Sequence, residues 1–585
     1  MFKLFKYFKF WEWVGCIVVL GATVGRVLCE LELPGYMAQL IGYIAGSVQY
    51  GLPLSSAQVW QIGGKMLGFV AASIVIAIAC NYLSSIISTG VAKRLRSAMF
   101  NKVGTFGMSE INKFSTASLI TRSTNDISQV QQLITMFLRM FMFSPIMAIT
   151  AIIKICALNV TLTWVTFAFV GGMFIFLAVL MLLVFKKFGV MQKQTDALNG
   201  VARENLTGLR VVRANNAEAY QQQKFEQTNS KLASTTLYVD RAWGVLMPFM
   251  TLVMSGLQLA IYWIGAFLIK DPAAMLNYAG VTEFAQYAVQ VLMSFTMISA
   301  MFVLVPRAAV SARRVTEVLN TPTSLTSGSF NGTTEVTGKV EFKNVSFKYP
   351  GAEEYVLEDI SFTAKRGQTV AFIGSTGSGK STLVNLITRF YDATEGEVLL
   401  DDINVKEYKF GTLNKKLGYI PQKAILFSGS VYENITYGAP EATNQDIEKA
   451  LEVSQSKDFV EKLSGKMNFY VAQGGKNLSG GQKQRLSIAR ALVKNPEVLI
   501  FDDSFSALDY QTDKKLRTEL AKHYADVTKI VVAQRIGTIL SADQIIVLDN
   551  GKMVGKGTHK QLIKNCKVYQ EIAYSQLSKE ELDNE

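Results

Sequence analysis

The residues Gly374-Ser375-Thr376-Gly377-Ser378-Gly379-Lys380-Ser381 carry the strongest chemical signal in this 585-residue chain. They fit G-x-x-x-x-G-K-[ST], a loop whose glycines let backbone N–H groups turn inward around phosphate oxygens. Lys380 is placed to reach the β- and γ-phosphates of a nucleotide, and the Ser381 hydroxyl to hold Mg²⁺. A second acid fits the same chemistry. Glu497-Val498-Leu499-Ile500-Phe501-Asp502 is an apolar run ending in a carboxylate that would complete the metal shell begun by Ser381. Leu478-Ser479-Gly480-Gly481-Gln482 then opens a helical segment, and two glycines at a helix start make another anion-binding end.

These groups need elements to position them. Gln368–Ile373 is rich in strand formers and precedes the loop, while Thr382–Ile387 has apolar residues at helical spacing. Strand, glycine loop and helix is the context the motif requires. From Lys339 onward short strands with turns give way to alternating strands and helices, which predicts an α/β nucleotide-binding domain over 339–575. An acidic tail, 576–585, follows it. Residues 321–338, rich in Ser, Thr, Gly and Asn, read as a linker.

The first half is of another class. Mean hydropathy is positive, and the apolar residues concentrate before about residue 310. Six stretches near the length a bilayer requires lie at 14–34, 62–88, 134–157, 160–185, 244–269 and 279–306, so 1–320 reads as an all-α membrane domain. Lys3, Lys6 and Lys9 alternate with aromatics in 1–13, as in an interfacial helix. A cleaved signal peptide fits less well, since no small-residue cleavage site follows. The connections 90–132 and 186–241 are rich in Lys and Arg, whereas 34–61 has none. That bias puts the long connections and the N-terminus on the cytoplasmic side. It also accounts for much of the net charge of +13, and no nucleic-acid motif is present. Five scattered cysteines suggest neither disulfides nor a zinc site. Within or at the outer end of the first span lie Arg26, Glu30 and Glu32; they belong either to the water interface or to a polar path that selects cationic substrates.

With loop, acid and Leu478–Gln482 in register, the sequence resembles an ATP-binding-cassette (ABC) transporter of the exporter type, its membrane and nucleotide domains fused in one chain. The resemblance covers essentially the whole length. It implies ATP and Mg²⁺ as cofactors, with Tyr349 stacking on adenine, an ATP-contacting set of Ser375, Thr376, Gly377, Ser378, Gly379, Lys380, Ser381 and Thr382, and Gln422 touching the metal beside Asp502. Leu478, Ser479, Gly480, Gly481, Gln482 and Asp509 would serve the ATP site of a second, homologous half-transporter. Asn112–Arg122 and Val212–Glu218 would be coupling helices. Three positions depart from the pattern. Asp503 stands where the catalytic glutamate is usual, Gln534 where the switch histidine is usual, and Gln473 where a glutamate is usual. The chain has two histidines, His523 and His559, and neither replaces Gln534 by position. The first two departures resemble the degenerate-site subunit of a bacterial heterodimeric multidrug exporter, moving small amphipathic compounds across the cytoplasmic membrane. A homodimer that hydrolyses slowly, a lipid or peptide exporter, an ATP-gated channel and a soluble cassette ATPase are the alternatives; six spans argue against the last.

Overall fold

The computed structural model describes residues 2–50, 55–270 and 276–577. The expected acidic tail beyond Leu577 lies outside the described residues. The chain forms two compact units, one of residues 1–102 and 117–321, the other of residues 103–116 and 322–585.

The first unit is helical. Among the described residues, Phe10–Tyr50, Ser56–Gly104, Thr116–Leu158, Val160–Thr207 and Glu218–Leu268 are long and apolar enough to cross a membrane. A sixth long helix, Tyr278–Asn320, contains the stretch expected at 279–306. At 41 to 51 residues, these helices run about 60–75 Å, twice a bilayer core. The polar continuations carry helical spacing and no stop signal until a cap appears. Asn159 starts the fourth helix by accepting from the Leu162 N–H at 3.0 Å, and Asn277 does the same for Gly280 at 2.7 Å. The expected interfacial helix over 1–13 is interrupted. A 3₁₀ segment spans Phe2–Tyr7, and Glu12 accepts from the Lys9 N–H at 2.9 Å to open a fresh helix at Phe10. That helix runs on past Pro34. Val27, Leu31, Met147, Ile155, Leu257 and Phe284 pack in the unit's buried core.

Two corrections concern the expected coupling helices. Asn112–Arg122 is not one helix: Met108–Phe114 ends at Ser115, whose φ of 61° takes the backbone out of the helical region before Thr116–Thr121 begins. Val212–Glu218 likewise divides into Leu209–Ala214 and a new helix at Glu218, with Asn216 at φ 49° between them.

The second unit holds two main sheets. A four-stranded antiparallel sheet contains Val340–Phe347, Leu357–Ala364, Glu395–Leu400 and Ile403–Asn404. A six-stranded sheet runs in the order Lys552–Gly557, Gln544–Asp549, Thr369–Gly374, Thr528–Val532, Val498–Asp502, Leu417–Ile420, parallel except for its first strand. Its central strands are buried on both faces, as their unbroken apolar runs require. Residues 322–338 have little regular structure but are tied down. Phe330 donates to the Glu407 carbonyl at 2.8 Å and accepts from the Lys409 N–H at 2.9 Å.

Candidate functional site

Four neighbouring parallel strands deliver the site. Thr369–Gly374, Thr528–Val532, Val498–Asp502 and Leu417–Ile420 end at one edge of the sheet, so Gly374, Gln534, Asp502 and Gln422 leave it side by side. Ligands of such sheets bind beyond the carboxyl ends of the strands. Gly377 and Gly379 take φ of 88° and 97°, a region that side chains disfavour and that turns the loop's N–H groups to one side. The helix Lys380–Ile387 starts there, its positive end toward the same space.

Lys380 folds back over its own loop. Its ammonium donates to the carbonyls of Gly374 at 2.9 Å and Ser375 at 2.7 Å and to Ser378 Oγ at 3.2 Å. Burial pushes this amine below its ordinary value, against the pull of Asp503 and Asp502. The Ser381 hydroxyl donates to Asp502 Oδ1 at 2.9 Å. Burial raises the Asp502 carboxyl and pushes the adjacent Tyr419 hydroxyl up to about 12. A carboxylate, a serine hydroxyl and the side chain of Gln422 form a set of hard oxygen donors that suits Mg²⁺.

Asp503 is where the geometry departs most from an active base. It is 7% exposed and sits at φ 50°. One oxygen, Oδ2, accepts from Gln422 Nε2 at 3.0 Å and from Gln534 Nε2 at 2.8 Å. The two amides converge on that one oxygen and clamp it.

Tyr349 contacts Tyr391 and Phe347 edge-on, with ring centres at 5.2 and 5.0 Å, and its hydroxyl lies 2.9 Å from Thr382 Oγ1. A cavity of about 300 Å³ lined by Lys348, Tyr349, Gly351 and Tyr391 adjoins it. In the same unit, Asn112 of the Met108–Phe114 helix donates to the Tyr391 hydroxyl at 3.0 Å.

Ser479 caps the helix Gly480–Leu492. Its Oγ accepts from the Gln482 N–H at 3.2 Å, and Gln482 Oε1 accepts from the Ser479 N–H at 2.9 Å. Leu478 is buried, while Ser479 and Gly480 are exposed at an open helix start. Among the described residues no hydrogen bond ties Ser479 or Gly481 to the Gly374–Lys380 loop of this chain. Asp509 caps the next helix, accepting from Thr512 N at 3.0 Å and Thr512 Oγ1 at 2.7 Å, and these bonds hold its carboxyl low.

In the helical unit, Glu30 is paired with Arg26 at 2.8 Å and Glu32 with Lys154 at 3.2 Å. Neither carboxylate is an open cation site. Lys65, Arg139, Lys154 and Glu283 also fall inside the apolar stretches and escaped the sequence reading. Counting charged residues within each apolar window would have found them, because a charge at membrane depth needs a reason.

Comparison with known proteins agrees with this geometry. The family described as "ABC transporter" matches residues 357–506, and that described as "ABC transporter transmembrane region" matches 17–304. An uncharacterized ABC transporter ATP-binding protein of Mycobacterium tuberculosis is 40% identical over 558 residues, 94% of each chain. The ATP-dependent lipid A-core flippase of Pseudomonas aeruginosa is 31% identical over 526 residues, 88% of this chain and 83% of its own. A solved bacterial Atm1-family ABC exporter with ATP bound shares the fold, with a TM-score of 0.77 at 22% identity over 96% of this chain and 97% of its own.

Proposed function

The chain belongs to the ABC transporter family, an exporter-type member with membrane and ATPase regions fused, and from that premise we propose that it is one half of a heterodimeric exporter whose own ATP site hydrolyses weakly. The cargo is amphipathic or hydrophobic compounds, carried out across the cytoplasmic membrane. The N-terminus and ATPase domain face the cytoplasm, in keeping with the basic connections 90–132 and 186–241.

The observation that carries the reading is the clamp on Asp503. A general base needs a lone pair aimed at the attacking water. Here one carboxylate oxygen already accepts from two amides, so its lone pairs are taken up by Gln422 and Gln534 instead of a water. Aspartate is also one methylene shorter than glutamate. Gln534 can donate a hydrogen bond, but it carries no positive charge and shuttles no proton.

The other residues of the site are fit to bind. Lys380 would leave its own carbonyls for the β- and γ-phosphates, Tyr349 would stack on adenine, and Ser381, Asp502 and Gln422 would hold Mg²⁺, which neutralises phosphate charge when bound. Ser375 through Thr382 would surround the phosphates with N–H and hydroxyl donors. The exposed helix start at Ser479 would complete the partner's site, joined by Gly481 and Asp509. Closure on ATP would then shift the membrane helices from inward-open to outward-open by differential binding.

The test is steady-state ATPase of the purified dimer with its partner. Ser479→Ala should reduce the rate by about 10²–10³, the cost of removing one transition-state donor, while Asp503→Ala leaves it nearly unchanged. Equal loss in both would mean that this chain's own site is catalytic. The similarity to lipid A-core flippases favours a lipid cargo as the second reading.

A further inference from the structure

We propose that Glu110 and Arg389 are positioning residues that clasp the linker at 324–327. So held, the linker moves as one piece with the short helix Met108–Phe114 and the loop helix Lys380–Ile387, and it carries nucleotide binding into the sixth long helix. The inference rests on the ATPase reading for its trigger, and no part of it depends on the cargo.

The chain passes between its two units at residues 102–103, 116–117 and 321–322. Glu110 lies between the first two crossings and holds the chain just past the third. Its Oε2 accepts from the Gly107 N–H at 2.8 Å and from Ser324 Oγ at 3.2 Å, and its Oε1 accepts from the Ser324 N–H at 3.2 Å. The residue is 6% exposed. A carboxylate withdrawn from water is stable there only through such bonds.

Arg389 takes the other end of the segment. Its Nη2 donates to the Thr326 carbonyl at 2.8 Å and its Nε to Asp392 Oδ1 at 3.0 Å, while the guanidinium lies 5.0 Å from the Phe410 ring centre. It stands two residues past the loop helix, at φ 54°. Glycine or asparagine is usual at such a helix stop. An arginine there, 3% exposed and with Nη1 meeting no acceptor among the described residues, finds its reason in what its other nitrogens hold. Asn112 and the Tyr391 hydroxyl, 3.0 Å apart, close the ring from the short helix to the segment after the loop helix. Ser324 and Leu325 also line, with Ser109, the cavity that Tyr349 borders.

A tether that only joined two units would be solvated and loose. This one lacks regular structure, yet two buried charged side chains hold it, one on the first basic connection and one behind the phosphate loop. The helix Tyr278–Asn320 runs directly into it. When Lys380 and Ser381 take up phosphate and Mg²⁺, a shift of their helix reaches Asn320 through Arg389, Thr326 and the backbone between.

The experiment follows hydrogen exchange of the full chain, assembled with its partner, with and without Mg²⁺ and the non-hydrolysable analogue AMP-PNP. In the native dimer the nucleotide should slow exchange both in 374–387 and in 308–320. Glu110→Gln, and separately Arg389→Met, should keep the protection of 374–387 and reduce the response at 308–320 about tenfold, the low end for one lost charge-assisted bond. The rescue is a disulfide. A Cβ at Gly107 would stand 3.2 Å from Ser324 Oγ, so Gly107→Cys with Ser324→Cys can bridge the clasp. Added to Glu110→Gln and oxidised, that pair should restore the response at 308–320, and dithiothreitol should remove it again; Gly107→Cys alone should restore nothing. A response at 308–320 that survives both substitutions, or that the bridge fails to restore, overturns the proposal. So does loss of protection at 374–387 in the Glu110 variant, which would make Glu110 a folding residue. Export is tested apart, by ATP-driven efflux of ethidium from proteoliposomes. The exchange pattern without efflux would count against the exporter reading and leave the clasp standing.

Discussion

Asp503→Asn separates a structural carboxylate from a catalytic one. In the native protein one buried oxygen takes two amide hydrogen bonds, at 3.0 and 2.8 Å. Bonds to a charged group contribute about 1.5–3 kcal/mol and neutral ones about 0.5–1.5 kcal/mol. Asparagine keeps the shape and an acceptor oxygen but loses the charge, so each bond weakens by about 1 kcal/mol, or about 2 kcal/mol together. For an ATPase domain of this size that is a fall in unfolding midpoint of about 4–8 °C. If Asp503 is no base, the ATPase of the assembled dimer should change less than about twofold, against the 10²–10⁴ that loss of a positioned base would cost. The assays are scanning calorimetry of the nucleotide-free protein and coupled-enzyme ATPase of the dimer. A rate loss of a hundredfold with an unchanged midpoint would refute the clamp and restore Asp503 as the base. A raised midpoint would mean that burying the charge outweighs the two bonds, and the stability argument would be wrong.

Lys380→Ala should abolish photolabelling of this chain by an azido-ATP, and labelling that survives would remove the loop from the nucleotide site. Tyr349→Ala should weaken ATP binding by about 1–3 kcal/mol, one aromatic stack, and Tyr349→Phe should leave it intact; equal loss in both would give the role to the hydroxyl bond with Thr382. Lys416→Met strips Asp401 and Glu497 of the ammonium that holds both, at 2.7 and 2.8 Å, and with the Asp401 side chain fully buried it should destabilise the ATPase domain by about 3–5 kcal/mol; a melting curve close to the native one would count against a structural role. Glu30→Gln and Glu32→Gln should leave the ratio of cationic to neutral dye export unchanged, because Arg26 and Lys154 already neutralise them; a selective loss of cationic dyes would put them on the transport path.

Much of the nucleotide site could be read in the sequence because its parts are local. A glycine loop between a strand and a helix needs only neighbours in the chain to take its shape, so Gly374–Ser381 and its flanking elements were recognisable. Asp502 at the end of an apolar run and the capping box Ser479–Gln482 are legible for the same reason. The membrane spans were legible as apolar length, but the helix ends were not. Ser115 and Asn216 stop helices by adopting positive φ, and nothing in their residue types demanded that. The clamp on Asp503 was out of reach, since Gln422 and Gln534 come from 81 and 31 residues away.

By itself the sequence determined the class of protein: apolar stretches of bilayer length, then a glycine-rich loop of the phosphate-binding pattern, an acid at the end of an apolar run and a second glycine-rich helix start. Backbone preference and burial operate over a few residues, so those features follow from composition and spacing. The tertiary structure alone decided which side chains meet. The sheet places its strands out of chain order, with Thr369–Gly374 beside Thr528–Val532 and Val498–Asp502 beside Leu417–Ile420, and that order brings Gln422 and Gln534 onto one oxygen of Asp503. In the membrane unit the antiparallel register of two helices pairs Arg96 with Ser128 and Arg139 with Ser85. Such meetings depend on long-range packing, whose free energy is shared among many residues and written at none of them.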